Sequence, residues 1–486
     1  MNCLALDMGT TSMRGILFDA AGTVLTSVSR RTPLCCRGDW IEQSPQRLTD
    51  CLTDICKTVA QAYPVDAVSL TAFRSTPTLV DREGRPLCDF IMWQDTRNRE
   101  ICEELQPFSR EIFRRSGAAV NTVFTGPKLT WIRRNRPELY GKAYKAVIAP
   151  DYLLWFMTGS LATDRTYGSR TLLMNLSTLE WDEELCRLFA LDPEKLCPLI
   201  PQGSVTGRIT RDFQRLTGIP AGVPVISAGG DQQCGALGLG VLDSRTAMVN
   251  SGTGSFILSL TDQPELENPA MICNVSAIPG KYTAEANVFA SASALNWLAE
   301  QVFPEYGGDL ERLNRLAEGV PPGANGVFCL PHFQGCGTRD WNPDARAAFC
   351  GLSLRNTKAD LARALYEGLA AEIAKSLAVL PACCQDAETV YLSGGLSNSG
   401  VFNRILCGML NRPLVRYQDP QATAIGAFAS AAVTLGWRPG YEEAVRAARS
   451  QDQREVFQPE ASTYYEAYRR RSEALYRALA AVPAED

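Results

Sequence analysis

The sequence predicts an α/β protein in two similar halves, and three observations carry that prediction. At 486 residues the chain exceeds what one hydrophobic core serves and suits two large domains. Two short glycine-hydroxyl loops, DMGTTSMR (7–14) and NSGTGSF (250–256), lie about half a chain apart. Each follows an apolar stretch that reads as a strand, and each opens a series in which strands and helices alternate.

The first series begins as a meander. LAL (4–6), GILF (15–18) and TVLTSVS (23–29) are short apolar or alternating runs separated by turns. Ser44 before Pro45 caps a helix whose Leu48, Leu52, Ile55 and Val59 fall on one face. Strands follow at AVSLTAF (67–73) and TLVD (78–81), helical spacing dominates from about 108 to 199, and strand chemistry returns at VPVISAGGD. After the glycine-rich helix GALGLG the second series repeats the scheme. It has strands TAMV and SFILSL, a helix SASALNWLAEQV, a long helix over about 358–380, a strand TVYLSGG, and helices near 401–410 and 422–435. Residues 337–352 read as a packed irregular loop. The parallel between the halves suggests a duplicated α/β unit, with a nucleotide in the cleft between the copies.

Composition narrows the function. Apolar residues make up 45% and charged residues 21%, as in a folded globular protein. The net charge of −5 without a basic block gives no electrostatic footprint for nucleic acid or an anionic membrane. No apolar run reaches the roughly 18 residues of a membrane span, and Asp7 interrupts any signal-peptide core, so a cytoplasmic protein is expected. The 17 cysteines are scattered, form no CxxC pair and accompany a single histidine, His332. That is poor material for zinc or iron-sulfur ligation and reads as reduced, mostly buried thiols.

Four groups carry candidate chemistry. A turn through glycine beside small hydroxyls brings backbone N–H groups close to a polyphosphate, although the same string also makes an ordinary hairpin. Asp7 closes the first strand where Mg²⁺ would be held, or else caps the turn. Arg14 adds charge near a transferring phosphoryl group, or faces solvent. Asp231 in SAGGDQQ stands at a strand end, where ligands of α/β sheets bind, and could take the proton of a hydroxyl attacking the γ-phosphate of ATP. Its alternative is an N-cap. Arg74, Trp93, Asp95 and Arg97 offer a flat apolar face and planar donors to a polyol, or else a half-buried Trp flanked by an ion pair.

DMGTTSMR, WQDTR, KLTWIRRNRPEL, GGDQQ, NSGTGSF, PDARAAFCGL, ALYEGLA and GGLSNS followed by ATAIGAFASA run the length of the chain. On these the sequence resembles the FGGY carbohydrate kinases, a group within the actin-like, ribonuclease H-type ATPases. The resemblance implies two ribonuclease H-like domains, each expected to be built on a mixed five-stranded sheet flanked by helices. One, over 1–243, would carry the sugar, the metal and the catalytic base; the other, over 244–486, would bind ATP. It implies Asp231 as catalytic base and Arg74, Ser75, Trp93, Asp231 and Gln232 on the acceptor side. Thr10, Thr11, Ser12 and Arg14, with Gly252, Thr253 and Gly254, would serve the phosphates. Asn296, Gly394, Gly395 and Asn398, with Ser399 nearby, would serve the adenosine side, and Asp7 would hold Mg²⁺.

The implied reaction is ATP-dependent phosphorylation of a terminal hydroxyl of a sugar or sugar alcohol, with a homodimer as the candidate assembly. Glycerol kinases within the family pair the substrate arginine with a glutamate and add a tyrosine ahead of K-L-x-W. Here those positions read as Ser75 and Val123, which favours a ketose such as xylulose, or an alditol, over glycerol. The rival readings are a glycerol kinase, a non-catalytic actin-like ATPase and a sugar-sensing pseudokinase. An assembly ATPase has no need of Arg74, Trp93 and Asp231 converging on a polyol, and intact Asp7 and Asp231 argue against a pseudokinase.

Overall fold

A computed structural model describes residues 1–38 and 40–480. The chain forms two compact units, and both are discontinuous in sequence. The first comprises 1–242, 262–283 and 421–451, and the second 243–261, 284–420 and the described residues from 452 on.

The first unit is built on β1 (Asn2–Met8), β2 (Ser12–Asp19), β3 (Val24–Arg31), β4 (Ala67–Ala72), β5 (Val205–Arg208) and β6 (Pro224–Gly230). They pair in the order β5-β6-β4-β1-β2-β3. β1, β2 and β3 are antiparallel hairpins, β4 runs parallel to β1 and β6 parallel to β4, and β5 closes the far edge antiparallel. This sheet has six strands where five were expected, because Val205–Arg208 turns back onto β6. Helix α1 (Pro45–Ala62) buries Leu48, Leu52, Ile55 and Val59, the predicted face, in the core beside Leu4, Leu6, Val68 and Leu70. α2 (Thr125–Asn135) and α3 (Asp231–Leu239) follow.

In the second unit β7 (Thr246–Ser251) and β8 (Ser255–Thr261) make the opening hairpin, and β9 (Thr389–Ser393), β10 (Leu414–Tyr417) and β11 (Arg454–Phe457) extend it. The sheet counts seven strands against the expected five, and those lying wholly in this unit run β8-β7-β9-β10-β11. β9 is parallel to β7 and β10 to β9, while β11 is antiparallel. A hairpin, then parallel strands, then an antiparallel edge is the pattern of the first sheet, so the duplicated layout holds. The expected helix 291–302 is an α-helix over Ala292–Trp297 that widens to a π-turn over Leu298–Val302. Residues 337–352 are not wholly irregular, since Ala348–Cys350 pairs with Phe328–Leu330. Helices α4 (Lys358–Leu377) and α5 (Gly400–Leu410) fall where expected.

The chain then returns to the first unit with α6 (Ala422–Thr434) and α7 (Tyr441–Ala448). α6 packs on the sheet face made by Cys3, Ala5, Ala67, Ile226 and Ala228, contributing Ile425, Ala427 and Phe428. The buried Ser69 hydroxyl on β4 donates to the Ala427 carbonyl at 2.7 Å.

Candidate active site

Parallel register builds the first unit's site. Met8 on β1 lies opposite Ala72 on β4, and Ala72 opposite Gly230 on β6. Three strands therefore end at one edge, and the residues at or just beyond those ends are Asp7, Arg74 and Asp231. The Asp231 carboxylate is 3.4 Å from Arg74 Nε, its side chain still 29% exposed. Oδ1 also accepts the N–H of Gln232 at 2.8 Å. The N-cap position belongs to Gly230, with Asp231 as the first residue of α3. Burial, and next the negative charge of Asp231, push the Asp7 carboxyl up to about 7, with the Arg14 guanidinium pulling it down.

The chain end before Asp231 is held from below. The Thr166 hydroxyl donates to Asp164 at 2.5 Å and accepts the Gly230 N–H at 3.0 Å. Asp164 also takes the Ser227 hydroxyl, and the Tyr167 phenol donates to the Gly229 carbonyl at 2.8 Å. Both glycines are needed here. Gly229 has φ +113°, and a Cβ on Gly230 would meet Gln233 Oε1 at 2.5 Å and Arg74 Cδ at 2.7 Å. Gln233 in turn accepts from Arg74 Nη1 at 3.3 Å.

The acceptor-side candidates are tied together by a residue whose role the sequence did not reveal. Lys128, fully buried on α2, donates from Nζ to the carbonyls of Ser75 (3.2 Å), Trp93 (3.3 Å) and Val123 (2.8 Å). Ser75 is buried with φ +63°, and its hydroxyl donates to the Arg170 carbonyl at 3.2 Å. Trp93 is half-buried and donates from Nε1 to the Thr10 hydroxyl at 3.1 Å, linking the WQDTR string to the first glycine-hydroxyl loop. Asp95 and Arg97 form a buried ion pair at 2.7 Å. Asp95 also accepts the Ile41 N–H, and the Arg97 guanidinium lies over the Trp40 ring at 4.0 Å. These two hold the segment. In the loop itself Gly9 N–H closes on the Ser12 carbonyl at 2.9 Å, Thr11 is exposed, and Arg14 is exposed on β2.

The second unit brings its candidates together separately. Around NSGTGSF, Ser251, Ser255 and Ser291 form a chain of buried hydroxyls with 2.7 Å steps. A Cβ on Gly254 would lie 2.6 Å from the Val288 carbonyl. The start of helix 292–297 is bonded to the loop, Ala292 N–H to the Gly252 carbonyl at 3.0 Å and the Ser293 hydroxyl to the Thr253 carbonyl at 2.9 Å. Asn296 is exposed on that helix, and Thr253 is exposed at the loop tip. Gly394 follows β9 with φ +82°, so close to β7 that a Cβ would sit 2.4 Å from the Ser251 carbonyl. Gly395 has open space around it and Asn398 is exposed beside Arg416. Ser399 caps α5 and donates to Asn314 at 2.6 Å.

The FGGY family of carbohydrate kinases matches this chain twice, its N-terminal domain over residues 2–238 and its C-terminal domain over 247–435. The chain belongs to the FGGY family. A xylulose kinase of Staphylococcus epidermidis is 28% identical over 484 residues, covering 98% of this chain and 96% of that protein. A glycerol kinase of Alkalilimnicola ehrlichii is 31% identical, covering 96% and 97%. The crystal structure of xylulose kinase from Rhodospirillum rubrum superposes with a TM-score of 0.93 at 28% identity, covering 99% of each chain. As an FGGY kinase, the protein has the two-domain α/β fold of the actin-like ATPases and is an ATP-dependent phosphotransferase acting on a sugar or polyol. No helix among the described residues is long and apolar enough to cross a membrane.

Proposed function

We propose that this FGGY kinase phosphorylates a terminal hydroxyl of an open-chain ketose, such as xylulose, or of an alditol, with Asp231 as general base. The carrying observation is the strand-end arrangement, in which a partly exposed carboxylate sits 3.4 Å from Arg74 and shares its field with Asp7. Asp231 takes the proton of the attacking hydroxyl. That oxygen bonds to the γ-phosphorus of ATP as the bond to the β-phosphate oxygen breaks and ADP departs. Arg74 and Trp93 orient the acceptor beside Gln232. The two glycine-hydroxyl loops, with Thr10, Thr11 and Ser12 in one and Gly252, Thr253 and Gly254 in the other, offer backbone N–H groups and hydroxyls to the phosphates. Asn296, Gly394, Gly395 and Asn398 serve the adenosine. Asp7 and Asp231 repel each other, an arrangement that suits a divalent cation, so Asp7 would hold Mg²⁺, which supplies positive charge against the phosphate oxygens. Its use of ATP is the reason for assigning the reaction to the cytoplasm.

Asp231→Asn should lower kcat by roughly 10²–10⁴ while leaving ATP affinity within a few fold. Asp7→Ala should instead raise the Mg²⁺ concentration needed for half-maximal rate. A variant at 231 keeping more than about a tenth of the rate refutes the base assignment, and an unchanged magnesium titration refutes the metal assignment.

Ser75 and Val123 carry the choice of acceptor. With the Ser75 hydroxyl engaged by Arg170 and Val123 apolar, neither contributes the charged acceptor or phenol that the glycerol kinase pattern supplies. In a panel of ketoses, aldonates and alditols assayed by ADP release, a four- to six-carbon ketose or alditol should exceed glycerol in kcat/KM by about tenfold or more. Arg74→Ala should raise the acceptor KM and spare that of ATP. Glycerol as the best substrate overturns the acceptor reading and leaves the kinase standing. ATP turnover with no acceptor in the panel would favour the assembly-type ATPase.

A further inference from the structure

The only histidine of the chain lies in the second unit, in the loop after strand Phe328–Leu330. His332 is 3% exposed, and its buried Nε2 has no hydrogen-bond partner among the described residues. An orphaned imidazole nitrogen in a protein interior calls for a partner. What faces it is Oε1 of Glu372 on α4, 3.8 Å away, and the thiol of Cys336 on the same loop. One ligand atom from each of the three residues lies within 4.8 Å of the others, and all three residues are buried.

We propose that His332, Cys336 and Glu372 form a zinc-binding site, which pins the 332–342 loop to α4. The donor set is one imidazole nitrogen, one thiolate and one carboxylate oxygen, the mixture that suits a borderline dication in tetrahedral coordination. Thiolate and carboxylate together cancel the two charges of the metal, so the loaded site is neutral, as burial requires. Burial holds the imidazole below its ordinary pKa and leaves the lone pair free for metal, and it pushes the Cys336 thiol up to about 12. Metal binding therefore releases the thiol proton to solvent.

The fourth position falls to water or to Asp340, whose Oδ2 is 3.8 Å from Cys336 Sγ. Two cations surround the cluster. Arg339 is paired with Asp340 and with Glu473, both at 2.6 Å. Lys375 holds Glu372 Oε1 at 2.6 Å and has to release it, and Glu473, 3.9 Å from its Nζ, is the acceptor to which it turns. The same loop is bonded to Asn287 through Thr338, whose N–H donates to the Asn287 carbonyl at 3.0 Å, so ligation would fasten that segment at a second point. Cysteine spacing alone could not show this site, because one of its ligands comes from a helix well beyond the loop.

The test uses the full-length chain without a histidine tag, so that His332 is its sole imidazole. Titration with Co²⁺ should saturate at one equivalent with a thiolate-to-cobalt charge-transfer band and the strong visible bands of tetrahedral cobalt, and Zn²⁺ should abolish both. In protein labelled with ¹⁵N-histidine the single imidazole signal should shift on adding one equivalent of Zn²⁺. Cys336→Ser should lose the charge-transfer band, and Glu372→Gln should weaken Zn²⁺ binding more than about tenfold. An imidazole signal unmoved by Zn²⁺ in the unmutated chain overturns the proposal without reliance on any variant. So does an identical cobalt spectrum in folded Cys336→Ser, which would assign the metal to other thiols.

Discussion

Lys128 shows how one residue can organise a site without reaching the substrate. An ammonium has three hydrogens, and here it meets the three carbonyls of Ser75, Trp93 and Val123. Those carbonyls belong to three segments that carry acceptor-side candidates. Burial lowers the Lys128 pKa from 10.5 to about 7, with the negative charge of Asp95 opposing the fall. The sign of the pH dependence follows. Between about 7 and 10.5 the unfolded chain binds a proton that the folded chain does not, so the lysine's contribution to stability rises with pH, by up to about 1.4 kcal/mol per unit. Below 7 both states are protonated and the contribution is flat. Lys128→Met should therefore flatten the dependence of unfolding free energy on pH between 7 and 9 relative to the unmutated protein. It should also destabilise at pH 7, by about 1–3 kcal/mol for each carbonyl left unpaired. Equal slopes in the two proteins would refute the lowered pKa. At this scale the sequence made Asp231, Arg74 and Asp7 legible, because each follows or ends an apolar strand. The roles of Lys128 and Thr166 were not legible, since Lys128 meets the Ser75 and Trp93 carbonyls and Thr166 the Gly230 N–H, all in distant segments, and no residue pattern encodes a backbone contact.

Helices α3 and α6 meet backbone to backbone. A Cβ on Gly238 would lie 1.8 Å from the Ala422 carbonyl oxygen, and one on Gly426 would lie 1.9 Å from that of Cys234. The small-residue strings GALGLG and ATAIGAFASA are thus two sides of one contact, and because α3 begins at Asp231 the contact fixes the orientation of that residue's helix. Gly426→Ala should force the helices apart, lowering stability by about 1–3 kcal/mol or more and reducing kcat along with it. Gly235→Ala is the internal control, because its Cβ would meet only the Thr423 hydroxyl at an ordinary 3.6 Å. It should be neutral or stabilising by up to about 1 kcal/mol. Similar melting temperatures for the two variants would mean that the contact is not limiting. Periodicity marks both segments as helices but does not encode that they touch. Their glycines needed a partner nearly two hundred residues away, whereas the amphipathic face of α1 is written within its own eighteen residues.

At the scale of the molecule the chain's crossings matter more than its midpoint. The series of strands and helices restarts at a boundary near 243, and the matched family domains flank that point, ending at 238 and resuming at 247. Yet residues 421–451 complete the first compact unit, with Ile425, Phe428 and Val445 in the same apolar cluster as Phe18, Ile226 and Leu237. Burying a side chain of that size stabilises by about 1.5–3 kcal/mol. Losing three of them, together with the alanines of α6, removes an amount comparable to the whole net stability of a domain, about 5–15 kcal/mol. A fragment ending at Leu242 should accordingly be aggregation-prone or molten, binding a hydrophobic dye and melting without a cooperative transition. A chain that joins residues 1–242 to 421–451 through a flexible linker should regain a cooperative melt, since it restores the helices that cover Cys3, Ala5 and Ala228. Calorimetry on the two fragments decides the matter. If 1–242 alone unfolds as sharply as the joined chain, the returning helices are an accessory to the first unit and not part of its core.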